Sequence, residues 1–315
     1  MKLTTLSSQK IRALVSEGEH ALAAGPHPER ARRDAEMLLL YVLRENAHSG
    51  HKAWLNHHGI AQNINGAWLV ANRNLSPLPM IREVFNALVM RRRYGEPIQY
   101  ITGETEFYGL PFRVTPDVLI PRPETEHLVE KVVELVASFH APRIVDVGTG
   151  SGAIAVSIAH DWPEAEITAI DLSPAALEVA RGNAERFGCA DCIRFLQGDL
   201  LTPVAGERFE IIVSNPPYVP ETDRATLAVE VRDHEPALAL FAGLDGLAIY
   251  RRLIPQAFAA LTPGGFFALE IGFGQSEAVR ALLASSGFEQ IEFTPDLQGI
   301  LRVVSARRPV LFSSR

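Results

Sequence analysis

Four residues in series have the types and spacing needed to hold a planar group that carries an NH2. They are Asn215, Pro216, Pro217 and Tyr218, and they directly follow an apolar run at 209–213. Each proline fixes its backbone φ and lacks an N–H donor, so the nearby carbonyl groups are held ready to accept. The asparagine amide has one acceptor and two donors, and the tyrosine supplies a flat face. We predict that these four residues bind the substrate, an amide or the exocyclic amine of a base, and that Asn215, Pro216 and Tyr218 are catalytic.

A glycine-rich loop lies upstream of these residues, between an apolar strand predicted at 143–147 and a helical pattern. Its residues are Gly148, Thr149, Gly150, Ser151 and Gly152. Glycine permits positive φ and lets a ligand approach the backbone closely. A dinucleotide fingerprint seats a pyrophosphate with a glycine at the sixth position of this pattern, where the chain has Ala153. The loop therefore favours a ligand that needs no phosphate site.

Carboxylates follow several of the predicted strands. Asp146 precedes the first glycine by two residues, where it can meet a cationic amino group, and Asp171 follows the strand predicted at 166–170. A carboxylate at the second place can accept from both hydroxyls of a ribose. Asp199 can accept from an adenine amine while Leu200 covers the ring, although a turn cap is an equal interpretation of Asp199. An amino group together with a ribose matches S-adenosylmethionine better than NAD. The predicted cofactor-binding residues are Asp146, Gly148, Thr149, Gly150, Ser151, Gly152, Asp171, Asp199, Leu200 and Asn215.

Taken together, the motifs resemble those of the HemK/PrmC family, which methylates the glutamine of the Gly-Gly-Gln loop in peptide-chain release factors. The resemblance covers most of the chain. It rests on the segments 106–112, 119–126, 148–152, 215–218 and 231–236. The Pro-Arg-Pro-Glu-Thr stretch within the second segment is typical of this branch and not of the related ribosomal-protein glutamine methyltransferases. The resemblance implies that S-adenosylmethionine is the methyl donor, the glutamine N5 atom the acceptor, and release factors the partners.

Other classes of protein stay open at this point. We call residues 215–218 the clamp. A DNA methyltransferase acting on adenine N6 or cytosine N4 would use the same kind of clamp, with Tyr218 stacked on a flipped base. The net charge of −7 counts against a nucleic-acid partner. A ribosomal-protein glutamine methyltransferase acts on the same amide group and is a second alternative. An NAD oxidoreductase is disfavoured, because Ala153 stands where the dinucleotide fingerprint has a glycine. A module that binds without catalysis is expected to lose Asn215 or the glycine loop, and both are present.

The elements that position these residues form two predicted domains joined by a linker. Apolar side chains at helical spacing predict a helical domain over 1–95. Because every candidate catalytic residue lies after residue 120, we expect this domain to serve substrate recognition. Residues 96–122 predict a β-hairpin linker, and 123–315 alternate between helix and strand as in a wound α/β sheet. Strands are predicted at 143–147, 166–170, 192–196, 209–213, 265–271, 288–293 and 300–306. The resemblance implies the class I methyltransferase fold, a Rossmann-like sheet of seven strands whose last strand inserts antiparallel.

The bulk properties of the chain agree with a globular protein. It has 315 residues, of which 47% are hydrophobic and 21% charged. A membrane span needs about 18 or more consecutive apolar residues, and no such run is present. The N-terminus also lacks the apolar core of a signal peptide. We therefore expect a cytoplasmic location, no membrane partner, no direct nucleic-acid partner and a monomer.

The two cysteines, Cys189 and Cys192, form an isolated Cys-x-x-Cys pair. A structural zinc site requires further ligands, and a redox pair of this kind normally starts a helix. Here the pair follows a predicted helix and enters a strand. We therefore predict a structural role for both cysteines and no metal site.

Two further features receive no catalytic function. His48, His51, His57 and His58 fit no metal template and are predicted to lie on the surface, and 57–74 is interpreted as a surface insertion. Basic residues cluster at Arg91–Arg93. Cations complement the dipole of a helix end, which favours a solvated helix end there. Contact with ribosomal RNA or an acidic partner is the alternative.

Overall fold

The computed structural model describes residues 10–48 and 64–310, excluding the side chains of 46–48. The chain divides into two compact units. The first comprises the residues up to Thr102 together with Val229–His234, and the second comprises Gly103–Ala228 and the residues from Glu235 onward. The assignment of 229–234 to the first unit differs from the predicted division of the chain. The roles predicted for the domains stay predictions.

Helices and strands alternate through most of the chain. The helices are α1 Ile11–Leu22, α2 Ala31–His48, α3 Gly66–Ala71, α4 Pro79–Arg93, α5 Ile98–Thr102, α6 Pro123–Val136, α7 Ala153–Asp161, α8 Pro174–Arg186, α9 Val229–His234, α10 Ala237–Leu240, α11 Ala248–Ala260 and α12 Ser276–Ser285. The strands are β1 Glu104–Phe107, β2 Leu110–Arg113, β3 Arg143–Val147, β4 Glu166–Asp171, β5 Ile193–Gln197, β6 Phe209–Ser214, β7 Leu261–Glu270, β8 Glu289–Pro295 and β9 Leu301–Arg307. Within the described parts of the chain, no helix is both long and apolar enough to cross a membrane.

The helical unit contains α1 to α5 and α9. Its apolar side chains recur at helical spacing and pack together, as with Leu38 and Leu39 of α2 and Phe85 of α4. The predicted surface insertion is described only from Ile64 onward, where α3 begins at an Asn65 cap. His51, His57 and His58 lie outside the described residues, as does the side chain of His48, so their prediction is unaffected.

Buried ion pairs connect α9 to the other helices of this unit. Arg92 is only 3% exposed; its Nε donates to Asp34 Oδ2 at 2.7 Å, and its Nη1 donates to Glu230 of α9. Arg91 pairs with Glu96. A buried guanidinium requires such carboxylate partners. The prediction of a solvated helix end is therefore wrong for Arg92.

A short hairpin starts the second unit. Strands β1 and β2 pair antiparallel, and the turn residues Tyr108 and Gly109 have φ of 53° and 70°. Positive φ at both positions is what a tight type I′ hairpin requires. The paired strands span 104–113, inside the predicted 96–122 linker, and 98–102 form helix α5 instead of a strand.

The second unit is built on a seven-stranded sheet of order β5-β4-β3-β6-β7-β9-β8. Strands β3 to β7 pair in parallel, and β9 inserts antiparallel between β7 and β8. The predicted class I methyltransferase fold is therefore confirmed. From β3 the chain moves outward to β4 and β5 and then returns to β6 on the other side. Such a switch point leaves a crevice at the strand carboxyl ends, where ligands bind in open α/β sheets.

Helices cover both faces of this sheet. Successive strand residues point to opposite faces, so Ile144 and Val145 of β3 belong to different apolar clusters. The first cluster contains α6 and α7 residues, and the second contains α11 residues. Both side chains are fully buried. The central strands are thereby held rigidly, and the polar residues at their ends are fixed in position.

Candidate functional site

A cavity of about 460 Å³ opens where β3, β4, β5 and β6 end. All of its lining residues belong to the second unit. The lining includes ten predicted site residues: Gly148, Thr149, Gly150, Ser151, Asp171, Asp199, Leu200, Asn215, Pro216 and Pro217. Asp146, Gly152 and Tyr218 do not line it. The fold therefore brings most of the predicted site residues together around one space.

The glycine loop presents its backbone to this cavity. Gly148 and Gly150 have φ of 76° and 54°, and a Cβ at either position would meet no atom within 4 Å. The N–H groups of Gly148 and Thr149 donate to the Ile170 carbonyl at 2.8 and 3.0 Å, which fastens the loop to β4. The loop is thus anchored to β4, and its surface leaves room for a ligand to approach closely.

At Gly152 a glycine is needed for packing and not for ligand access. Its φ is 80°, and a Cβ there would lie 3.1 Å from the Ala180 Cβ and 3.2 Å from the Ala180 Cα. Gly152 therefore lets the start of α7 pack against α8 and contributes no wall to the cavity.

We expect Gly152→Ala to destabilise the fold more than Gly150→Ala. Both changes place alanine at positive φ, which costs about 1 kcal/mol. Only the first also forces a methyl group against the Ala180 backbone, and such overpacking costs about 1–3 kcal/mol more. The free energies of unfolding in urea measure the difference. Equal losses in the two variants would contradict this assignment of Gly152.

Asp146 lies behind the loop. It is fully buried, and its Oδ2 accepts a hydrogen bond from the Thr149 hydroxyl at 2.7 Å. Burial raises the pKa of this carboxyl to about 7. Its Oδ1 is buried and accepts from no group in the described part of the chain. Asp146 supports the loop from behind, and its predicted contact with a cationic group stays a prediction.

Asp171 lies at the end of β4 with both carboxylate oxygens held by the backbone. Oδ2 accepts from the Gly150 N–H at 2.8 Å and Oδ1 from the Ser173 N–H at 2.9 Å. Burial raises the pKa of Asp171 above its ordinary value, against the opposite effect of these backbone donors. Each carboxylate oxygen can accept more than one hydrogen bond, so a pair of neighbouring hydroxyls in the cavity has two fixed acceptors.

Asp199 and Leu200 follow β5. Leu200 has φ of 54°, an uncommon conformation for a residue of its size, and it lines the cavity. The Asp199 carboxylate forms an exposed ion pair with Arg252 of α11. The backbone carbonyl of Asp199, not its carboxylate, accepts from the Thr202 hydroxyl at 2.8 Å. Sequence reasoning missed Arg252, which gives Asp199 a partner that neither of its interpretations included.

The asparagine at the end of β6 is fixed from two sides. The Ser214 hydroxyl donates to the Val147 carbonyl at 2.6 Å, which ties the end of β6 to the end of β3. The Asn215 Nδ2 donates to the Thr125 hydroxyl at 3.1 Å. The amide oxygen of Asn215 has no hydrogen bond to the residues that the structure describes. This oxygen, beside Pro216 in the cavity wall, is therefore an available acceptor.

The Tyr218 side chain does not line the cavity, although the sequence predicted that it contacts the substrate. Its hydroxyl donates to Glu270 at 3.3 Å, and its backbone carbonyl accepts from the Gln275 side chain at 3.0 Å. Burial and the nearby Glu270 raise the pKa of the phenol above its ordinary value. The phenol is thus a partly buried neutral group outside the cavity wall, and the predicted contact of Tyr218 with a substrate stays a prediction.

Thr125 and Glu270 are functional candidates that sequence reasoning missed. Glu270, at the end of β7, is 2% exposed, and its Oε2 accepts from the Thr125 hydroxyl at 2.6 Å. Burial raises the pKa of this carboxyl to about 7. A detectable signal was present, since Glu270 is an acidic residue within an otherwise apolar strand. Nearby, Arg122 lines the cavity and pairs with the buried Glu235 at 2.6 Å.

The described parts of the chain contain no candidate metal site. No group of three or more His, Cys, Asp or Glu side chains is placed there to hold a metal ion. Cys189 is buried, Cys192 is exposed, and both are free thiols.

Comparison with known proteins gives two family matches. Residues 13–103 match the PrmC N-terminal domain, and residues 124–232 match the Methyltransferase small domain. Among solved structures, the hMettl16 catalytic domain in complex with MAT2A 3'UTR hairpin 6 is similar in fold, with a TM-score of 0.53 and 16% identity. The similarity covers 69% of this chain and 81% of that one.

Curated relatives are much closer in sequence. A protein of Moorella thermoacetica named "Release factor glutamine methyltransferase" is 41% identical over 299 residues, covering 95% of this chain and 98% of its own. A protein of the same name from Bordetella pertussis is 44% identical over 78% of this chain and 91% of its own. One from Bradyrhizobium diazoefficiens is 47% identical over 69% of this chain and 74% of its own.

Proposed function

The chain belongs to the family of release factor glutamine methyltransferases, and we propose that it methylates the glutamine of the Gly-Gly-Gln motif in peptide-chain release factors. Its methyl donor is S-adenosylmethionine, as the methyltransferase domain requires. In this proposal the acceptor atom is the side-chain amide nitrogen, N5. The observation that carries it is the available Asn215 oxygen beside Pro216 in the cavity wall.

The chain's contribution to the chemistry is orientation of a weak nucleophile. The lone pair of an amide nitrogen is delocalised into its carbonyl group. Hydrogen bonds from the two N–H groups of the substrate to Asn215 Oδ1 and to the Pro216 carbonyl favour a pyramidal nitrogen. They also aim its lone pair at the methyl carbon. Bound S-adenosylmethionine would supply the methyl group, with the N–C bond forming as the sulfonium C–S bond breaks and S-adenosylhomocysteine leaving. Water is sufficient to accept the proton that the nitrogen loses.

The residues around the cavity fit the donor. The open surfaces at Gly148 and Gly150 admit a ligand against the backbone. Asp146, which lies behind the loop and does not line the cavity, is the carboxylate proposed for the cationic amino group. The two fixed acceptors of Asp171 suit the ribose hydroxyls. Leu200 supplies an apolar surface for the base.

Labelled S-adenosylmethionine and four acceptors test the proposed substrate. We expect the protein to transfer label to a release factor and not to a release factor whose motif glutamine is replaced by alanine. Ribosomal protein and DNA are expected to take up no label above background. Preferred labelling of DNA or of ribosomal protein would overturn the proposal and favour the corresponding class.

We further propose that the helical unit selects the release factor and performs no chemistry. Every candidate site residue lies in the other unit. A small flexible loop in the clamp alone gives weak binding, so a second surface is needed for affinity and for discrimination against other glutamines.

Removal of residues 1–102 is expected to slow methylation of the intact factor by about 10- to 100-fold, because the second binding surface is lost. The shortened chain also carries Glu230→Gln, since removal of Arg92 leaves that carboxylate without its ion pair. A short Gly-Gly-Gln peptide at high concentration should be methylated at similar rates by both proteins, which serves as the folding control. Methylation of the intact factor at the full-length rate would refute the selector role.

A further inference from the structure

A continuous series of hydrogen bonds runs behind the wall of the cavity. The Asn215 amide nitrogen donates to the Thr125 hydroxyl at 3.1 Å, and this hydroxyl donates to Glu270 Oε2 at 2.6 Å. The other oxygen of Glu270, Oε1, accepts from the Tyr218 hydroxyl at 3.3 Å. The Tyr250 hydroxyl donates to the Glu270 backbone carbonyl at 2.9 Å, which fixes the end of β7. Helix α6, the segment that follows β6, and strand β7 thus meet at one buried carboxylate.

The direction of these bonds follows from the chemistry of the carboxylate. An ionised carboxylate only accepts, so the single hydroxyl hydrogen of Thr125 must point to Glu270. The Thr125 oxygen can then only accept from Asn215. The nitrogen end of the Asn215 amide is the end that can donate, so it turns to Thr125, and the oxygen end is left to the cavity. The charge on Glu270 therefore determines which end of the amide a ligand meets.

From this geometry we infer that Thr125 and Glu270 are positioning residues that hold the Asn215 amide oxygen toward the substrate. The inference rests on the proposed function, in which that oxygen accepts from the NH2 of the methyl acceptor. A reversed amide would present two N–H groups to an NH2, and donor would face donor. The reaction then loses the orientation that the clamp supplies.

The surroundings of Glu270 let its charge respond near neutral pH. Burial raises its pKa to about 7, Arg302 opposes this shift, and Glu124 adds to it. Tyr218 stays neutral because burial raises its own pKa. Below about pH 7 the protonated carboxyl can donate to Thr125. The hydroxyl then donates to Asn215 and favours the reversed amide.

Paired variants of Thr125 test the inference. Valine has nearly the shape of threonine and lacks the hydroxyl, so Thr125→Val is expected to lower kcat by about 30-fold with S-adenosylmethionine affinity within about threefold. Thr125→Ser keeps the hydroxyl and should restore kcat to within about threefold of the wild type. Thr168→Val removes another buried hydroxyl, one that accepts from Arg194 on β5, and should leave kcat unchanged. Equal kcat in the valine variant and the wild type would overturn the inference.

The pH profile separates positioning from a structural role. At saturating S-adenosylmethionine, where loss of affinity through Asp146 is suppressed, wild-type kcat should fall as pH drops through about 7. Glu270→Gln cannot titrate, and its kcat should be lower but constant between about pH 6 and 8. An unchanged acid limb in Glu270→Gln would contradict the assignment of Glu270.

Nuclear magnetic resonance of the asparagine side chains gives a readout that needs no activity. With 15N-asparagine labelling, Asn215→Ala identifies the Asn215 amide signals. A hydrogen-bonded Nδ2 proton is expected in the wild type and in Thr125→Ser, and its loss is expected in Thr125→Val. If the wild type does not methylate a release factor, the proposed function fails and these signals alone decide the inference. Unchanged signals in Thr125→Val would refute it.

Discussion

Replacement of Asn215 by alanine is expected to lower kcat by about 10²- to 10³-fold while S-adenosylmethionine affinity stays within about tenfold. The variant loses the only side-chain amide acceptor of the clamp, whose orientation is fixed by the hydrogen bond from its Nδ2 to the Thr125 hydroxyl at 3.1 Å. The donor's proposed contacts with Asp146, the glycine loop and Asp171 are untouched. Single-turnover assays at saturating donor measure the chemical step, and calorimetry measures the affinity.

A matched variant controls for the loss of an asparagine. The Asn72 amide is partly buried and donates to the Trp68 carbonyl at 3.0 Å in the helical unit. Asn72→Ala should therefore leave kcat unchanged. A fall of less than fivefold for Asn215→Ala would exclude Asn215 from the clamp.

Asp171→Ala is expected to weaken S-adenosylmethionine binding by at least about 100-fold, because hydrogen bonds from hydroxyls to a charged acceptor are worth about 1.5–3 kcal/mol each. The carboxylate also holds the Gly150 and Ser173 N–H groups at 2.8 and 2.9 Å, so the glycine loop loses an anchor. Binding of the protein substrate should change little. Calorimetry that finds unaltered donor affinity would restrict Asp171 to its backbone contacts.

Much of the sheet was predictable because buried parallel strands are continuous apolar runs. Predicted and observed bounds agree within about two residues for β3 to β6, β8 and β9. Strand β7 begins at Leu261, four residues before the predicted start at 265. The glycine pair at 264–265 suggested a strand start, whereas a register irregularity lets Leu261 pair with Phe209 before the main ladder begins.

The division of the chain was less predictable from sequence. Helix α9 belongs to the helical unit although it lies far along the chain from the other helices. The ion pair of Glu230 with Arg92 joins residues 138 positions apart. No local sequence pattern predicts such a contact, because it depends on the packing of complete helices.

The candidate site was also only partly predictable from sequence. Residues that follow parallel strands meet at one edge of a sheet, and this is why Gly148, Asp171 and Asn215 were predicted together. The direction in which a side chain points is set by its neighbours in space. Tyr218 therefore contacts Glu270 and not the cavity, and Thr125 joins the site through a contact 90 positions away in sequence.

The most direct test of the proposed function is the identity of the methylated atom. A release factor treated with the protein and deuterated S-adenosylmethionine is digested, and the peptide with the Gly-Gly-Gln motif is sequenced by tandem mass spectrometry. We expect one labelled methyl group on the motif glutamine, with hydrolysis of that residue releasing labelled methylamine, as a methyl on N5 requires. A label on another residue, or an unlabelled motif peptide after full incubation with active protein, would contradict the proposed function.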